Sequence, residues 1–500
     1  MKNKNDIIEK IISELGIHNK RLTIEAKAFL QDRYNDINQE NQDKLIKEII
    51  EKTKGSFVND QDIIKIIDYK EDINQDFIKD VHYELINKKI KIIDDPGVKK
   101  VRREDTPTKL LLDRYEKISK ILQKQFSITN LSGVGQALKL GQNKNNNTCL
   151  IIGLVNSKRI SKKGIWLDLE DKENRINVFV SVRLKNTYQL ARIIPLDCVV
   201  AVKIKKLNQN LIIVENIYLP ELFDHRPNRS KEEVYTVLTS DLHIGSKKFL
   251  LEPFKRFISW LSMDSEDDED SEIQEIASKV KYIIIAGDVV DGIGHYPKQD
   301  QEIIERELKN QYKLAYDILQ QIPKHITIII SPGERDGTRR LLPQPPISKE
   351  YAEDFYNDSR FIMVGNPVNL NLHDVNFYVF HGSFLEDGGS IMPGIKKENY
   401  SKVMEMLLRF RHIVPTYGLK TPFMLQERDD LVMTTPPDIL HAGHVHITSK
   451  SKYKNTLIIN SGGWQDQTLF QLEQGIKPTP GLIPVVNLNN FQTIFINFLK

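Results

Sequence analysis

The sequence predicts a multidomain chain in three unlike parts: a small all-α N-terminal domain, an all-β barrel and an α/β domain. Three observations carry this. Apolar residues recur at helical spacing through 1–68. Short Val- and Ile-rich runs, separated by polar turns, fill 127–220. From Val234 to the end, strand-like and helix-like stretches alternate. The boundaries that follow are 1–68 for the helical domain, 69–106 for a linker, 107–225 for a helix plus barrel, and 232–500 for the α/β domain.

Composition narrows little. Against 68 acidic residues stand 71 basic ones, a net charge of +3, which neither requires nor excludes nucleic acid, so any binding must come from local patches. Cys149 and Cys198 are too few for a disulfide framework and lack metal spacing, which predicts a reducing, cytoplasmic setting. No apolar run approaches the roughly 18 residues of a membrane span. The N-terminus has no apolar signal core, so no membrane role is expected.

In chain order, Ile7, Ile8, Ile11, Ile12 and Leu15 mark a first helix that Gly16 stops, and further helical patterns start near Thr23, Asn41 and Asn59. Short one-faced helices of this kind suit a docking or tethering module. The linker carries an Asp94-Asp95-Pro96-Gly97 turn and the basic cluster Lys99 to Arg103. A helix is expected over 107–124, with Leu110, Leu111, Tyr115, Ile118 and Leu122 on one side. Runs at 149–155, 164–169, 175–182, 199–204 and 211–217 suit a five-stranded Greek-key barrel of the OB type. Such barrels often bind single strands through aromatics. Here Trp166, Phe179 and Tyr188 are few, and a subunit-packing role is an equal expectation.

Chemistry gathers at strand ends in the last domain. The motifs are Asp241-Leu242-His243, Gly287-Asp288-Val289-Val290-Asp291, Gly333-Glu334-Arg335-Asp336, His381-Gly382-Ser383 and Gly443-His444-Val445-His446, most of them closing an apolar run. Carboxylates mixed with imidazoles suit Mn²⁺, Fe or Zn²⁺. A shared aspartate, here Asp288, is what a two-ion hydrolase needs to hold both ions near one phosphoryl group.

This order of motifs resembles the calcineurin-like metallophosphoesterase superfamily. It is closer still to the small subunit of archaeal family D DNA polymerase. The likeness rests on residues 238–246, 287–294, Pro343-Gln344-Pro345-Pro346, the Asn460-Ser461-Gly462-Gly463-Trp464-Gln465-Asp466-Gln467-Thr468 signature and Pro478-Thr479-Pro480-Gly481, and it spans roughly residues 110–500. It implies an OB fold packed on a phosphoesterase domain, a large catalytic polymerase subunit as partner, primer–template DNA as ligand, and a 3′→5′ exonuclease site. It also implies two divalent ions: one held by Asp241, His243, Asp288 and His446, the other by Asp288, residue 334, His381 and His444.

The sequence departs from that pattern where the third motif should read Gly-Asn-His-Asp. Glu334 stands for the asparagine ligand and Arg335 for the catalytic histidine. A guanidinium stays protonated and cannot act as general acid, so a retained metal platform with impaired proofreading is expected. Alternatives are a stand-alone metallophosphoesterase or repair nuclease, and a non-catalytic structural subunit. Arg339 and Arg340 are candidates to grip DNA phosphate, with an ion pair to Asp336 as the competing role. Asp291 is expected to organise its loop. The end of the chain, 492–499, loosely matches a sliding-clamp-binding peptide but alternates like a closing strand, and the strand is expected.

Overall fold

The computed structural model describes residues 89–98, 106–126, 133–138, 147–208, 210–223, 226–263, 271–296, 299–392, 399–473 and 475–500, together with the dipeptides Arg21–Leu22 and Phe57–Val58. Those two dipeptides pair in parallel. The rest of the expected helical domain, and the Lys99 to Arg103 cluster, lie outside the described residues. Among the described residues, no helix is long and apolar enough to cross a membrane.

The barrel closes from Thr148–Ser161, Gly164–Glu170, Arg175–Ser181, Leu211–Tyr218 and Val199–Asn208, in that spatial order. Its inward residues alternate along each strand, as in Ile165, Leu167 and Leu169, or Val200, Val202 and Ile204, all buried. The region is not wholly β as expected. Helix Lys185–Ile193 sits between the third and fourth strands in sequence, and Val134–Leu138 forms a short helix before the barrel. Both are brief and lie among strong strand signals, so their helical period is hard to see.

Helix Pro107–Phe126 begins with proline at its first position, where the missing N–H costs nothing. Ile118 and Leu122 pack on Ile152, Leu154, Val199 and Ala201 of the barrel and on Val432 beyond it. The same helix sends Arg114 to Asp429 at 2.6 Å, both buried, and to the carbonyl of Asp197 at 3.1 Å. Barrel and α/β domain are thus joined by one helix and a buried charge pair.

Two six-stranded sheets build the α/β domain. The first runs Phe361–Met363, Thr327–Ser331, Val280–Ala286, Tyr235–Thr239, Leu482–Asn487, Thr493–Asn497. Its first four strands are parallel, and the three central ones, Tyr235–Thr239, Val280–Ala286 and Thr327–Ser331, are buried along their whole length, as in a sheet covered on both faces. Helices Leu251–Ser262 and Leu308–Leu319 cover one face, with Trp260, Phe254, Tyr312 and Trp464 in the shared core. The second sheet runs Ser449–Tyr453, Thr456–Asn460, Ile439–Ala442, Val375–Val379, Val368–Leu372, Ile90–Asp94. Helices Phe384–Ile391 and Tyr400–Phe410 pack on it in a core continuous with the barrel.

The last strand of that sheet corrects the linker expected over 69–106. Ile90–Asp94 pairs antiparallel with Val368–Leu372. It is an edge strand with Ile92 and Ile93 about half exposed, so its composition imitates a solvated linker. Helix Leu308–Leu319 is preceded in sequence by a 3₁₀ turn at Gln299–Gln301. At the C-terminus Thr493–Asn497 is a sheet strand, and Phe498 is buried against Trp464 and Phe257.

Candidate metal centre

Five parallel strands end at one place. Tyr235–Thr239 delivers Asp241 and His243, Val280–Ala286 delivers Asp288, and Thr327–Ser331 leads to Glu334, all from the first sheet. Val375–Val379 delivers His381, and Ile439–Ala442 delivers His444 and His446, from the second. The carboxyl ends of two sheets meet here, a placement that leaves loop side chains free to converge.

The backbone is bent to reach it. Asp241, His243, Asp288, His444 and His446 all take positive φ, between 50° and 72°. Left-handed backbone at a non-glycine residue costs on the order of 1 kcal/mol or more, and such strain clusters at functional sites. Close approach adds to it. A Cβ at Gly287 (φ 91°) would lie 2.4 Å from His381 Nδ1, and one at Gly443 would lie 2.3 Å from Ser240 Oγ.

Two overlapping sets of buried ligand atoms result, each within 4.8 Å: Asp241, His243 and His446, and Asp241, Asp288 and His381. His243 Nε2 faces His446 Nε2 at 3.2 Å and stands 3.9 Å from Asp288 Oδ2. His381 donates from Nδ1 to the Ala286 carbonyl at 2.9 Å, which turns Nε2 toward Asp288 Oδ2 (3.5 Å) and His444 Nδ1 (3.2 Å). Asp241 Oδ2 accepts from Ser240 Oγ and from the His444 amide at 2.8 Å, while its Oδ1 is buried without a hydrogen-bond partner. Glu334 belongs to neither set. It sits beside His444 and His381.

Electrostatics agree with a cation-seeking site. Burial penalises the charge on Asp241 and Asp288, yet facing imidazoles, His446 for the first and His381 for the second, hold both carboxyls well below the ordinary range. Burial likewise opposes charge on His381, but Asp288 outweighs it and pushes the imidazole up to about 10. Glu334 is also lowered: its burial is overcome by His444 and His381. A partnerless buried carboxylate oxygen, facing imidazole nitrogens and an O/N donor set fit divalent cations.

Side chains outside the expected ligand sets hold these groups in place. Asp291 Oδ1 lies 3.1 Å from His243 Nδ1, and Gln299 and Gln465 both donate to the Asp291 carboxylate. Gln471 Nε2 stands 3.1 Å from His446 Nδ1. Trp464 donates its amide to the Asp241 carbonyl at 2.9 Å and its indole N–H to Thr239 Oγ1 at 2.9 Å. The loop role expected of Asp291 is therefore a histidine-orienting one. Asp336, a neighbour of the site, accepts from the amides of Gly333 and Val289 and from the Tyr312 hydroxyl rather than pairing with Arg339 or Arg340.

The arginines divide. Arg335 donates its amide to Asp288 Oδ1 at 2.9 Å, points Nη1 at Asp291 Oδ1 (3.4 Å), and lies 5.0 Å over the Tyr296 ring. Arg340 is exposed and donates to His295 Nδ1 at 2.8 Å. Arg339, partly exposed, donates to the carbonyls of Pro343 and Gly97 and so ties two loops together.

Comparison with known proteins gives the class first. Residues 236–450 match a family described as the B subunit of DNA polymerase alpha/epsilon. The chain belongs to the DNA polymerase II small-subunit family of archaea. It is 33% identical over 372 residues to the DNA polymerase II small subunit of Archaeoglobus fulgidus, covering 74% of this chain and 73% of that protein. To the Methanothermobacter thermautotrophicus small subunit it is 36% identical, covering 67% and 69% respectively. The Pyrococcus horikoshii small subunit is 37% identical over 77% of this chain, and the chain spans 61% of its length.

Proposed function

We propose that the chain is the accessory subunit of a two-subunit archaeal DNA polymerase, assembling with a large catalytic subunit on primer–template DNA. Its inter-sheet site is a two-ion phosphodiesterase centre of the 3′→5′ exonuclease type, with attenuated turnover. The observation that carries this is the pair of buried imidazoles, His243 and His446, facing each other at 3.2 Å beside the partnerless Asp241 oxygen.

Asp241, His243, Asp288 and His446 would hold the first ion, and Asp288, Glu334, His381 and His444 the second, with Asp241 near both. Bound ions, Mn²⁺ before Fe or Zn²⁺, would supply charge neutralisation at a phosphoryl group and an activated water. The chain's own residues do the rest. Asp291 Oδ1, 3.1 Å from His243 Nδ1, favours hydrogen on that nitrogen, which would leave the Nε2 lone pair toward the site. Arg335 stands where a proton donor is needed. Its guanidinium can hold a phosphate oxygen in a fork but keeps its protons. The departing 3′ oxygen then takes its proton from solvent, and hydrolysis is slow.

The test is 3′-nucleotide release from a mismatched primer in Mn²⁺, using the chain copurified with its large subunit. Weak release that disappears in Asp288→Ala supports the reading. Robust release indifferent to Asp288→Ala, or a chain that purifies alone without polymerase partner, refutes it.

A further inference from the structure

The barrel carries a second candidate site, remote from the metal centre in composition and chemistry. Strand register aligns one residue from each barrel strand in a single row: Arg159 opposite Trp166, Trp166 opposite Phe179, Phe179 opposite Ile213, and Ile213 opposite Lys205. Their sequence neighbours Ile165, Leu167, Val178, Val180, Val214 and Ile204 are buried in the barrel core, so alternation puts the row on the outer face. Arg159 is exposed, and Trp166, Phe179, Ile213 and Lys205 are each partly exposed.

The row is built as an aromatic platform between two cations. Trp166 and Phe179 have ring centroids 5.0 Å apart. The rows on either side are low: Ser161, Gly164 and Ser181 on one, Ser157, Asp168 and Asn177 on the other. Gly164 is required there, because a Cβ would come within 2.7 Å of the Phe179 ring. Asp168 is neutralised by Arg175. The hairpin that leads into the platform, residues 156–167, holds Lys158, Arg159, Lys162 and Lys163 and no acidic residue. Lys158 turns away, its Nζ on the carbonyls that end helix Lys185–Ile193, so Arg159, Lys162 and Lys163 form the outer charge.

We propose that this face binds single-stranded nucleic acid, with bases stacked on Trp166 and Phe179 and phosphates held by Arg159 and Lys205. Flat π surfaces accept any unpaired base, and the flanking cations complement the backbone, whereas a duplex buries its base faces and offers only phosphate. This goes beyond the phosphodiesterase reading and does not depend on ions, so chelator separates the two.

Tryptophan fluorescence reads it directly. Trp260 and Trp464 are 2% and 0% exposed, which leaves Trp166 as the tryptophan a ligand can reach. Oligo(dT) added to the full chain in EDTA should quench fluorescence in a salt-dependent way. Trp166→Ala and Phe179→Ala, followed by anisotropy of labelled oligo(dT), should each weaken binding about tenfold or more, with Trp166→Phe restoring most of it. Arg159→Ala with Lys205→Ala should lower the slope of log affinity against log salt by about 1.4, two single-strand contacts. Absent quenching, unchanged affinity in both aromatic variants, equal affinity for a duplex of the same length, or full competition by polyglutamate (an acidic protein surface as the true occupant) would each overturn the proposal.

Discussion

Nε2 of His243 and Nε2 of His446 stand 3.2 Å apart in a fully enclosed corner of the α/β domain. As the rings are placed, Gln471 donates to His446 Nδ1, so His446 keeps its hydrogen on Nε2 and shares it with the bare Nε2 of His243. That shared proton lies among the donors proposed for a divalent ion. Ion binding through His446 Nε2 requires Gln471 to turn its amide and present oxygen to Nδ1–H.

Gln471 therefore sets the tautomer of a proposed ligand. Gln471→Glu, which can only accept, should tighten the first ion about tenfold, and Gln471→Leu should weaken it by about 10- to 100-fold. Mn²⁺ titration followed by paramagnetic resonance measures both. Equal affinities in the two variants would show that Gln471 merely packs.

Asp241 reaches both ligand sets. Asp241→Asn should remove one ion fully and loosen the other, so bound Mn²⁺ after gel filtration should fall from two per chain toward none. His373→Gln, a buried histidine away from the site, should leave the count at two.

Arg335 supplies charge but no proton. Arg335→His together with Glu334→Asn should raise 3′-exonuclease turnover at least tenfold, since positioned general acids contribute about 10²–10⁴. A rate unmoved by the double change, with ion content intact, would show that proton donation does not limit this chain.

His412 predicts the acid limit of stability. Its Nδ1 accepts from the Val414 amide at 3.0 Å, and its Nε2 lies 2.9 Å from Asp429 Oδ2, an arrangement only the neutral ring satisfies. Burial, then the neighbouring Arg114, lowers its pKa from 6.5 to about 4. A depressed folded value means this contribution is complete above pH 6.5 and is lost as pH falls through 4. The loss amounts to about 3 kcal/mol. Urea midpoints should drop across that window, and His412→Gln should flatten the drop. Parallel curves for the two proteins would exclude His412 as the cause.

Much of the candidate centre was legible because each proposed ligand follows an apolar run whose length and branching mark a buried strand. The motifs that contain Asp241, His243, Asp288, His381, His444 and His446 stand out by such run-and-polar-end patterns, and their assignment as ligands came from the family resemblance. The barrel strands were legible for the same reason. Helix Lys185–Ile193 and strand Ile90–Asp94 were not, one being short among strands and the other half exposed at a sheet edge. Local pattern reports burial on one face, and neither element buries enough to show it.

By itself the sequence determined which strand-end residues are candidates for chemistry, that Glu334 and Arg335 break the expected third motif, and that barrel-like strands precede an alternating α/β pattern. Only the tertiary structure decided what those residues touch. Asp291 lies against His243, Gln471 faces His446 across 25 positions of chain, Arg339 ties two loops together, and Trp166 and Phe179 become neighbours with cations at either end. These are contacts between side chains remote in sequence, fixed by strand register and by where two sheets meet, and no local periodicity encodes such distances.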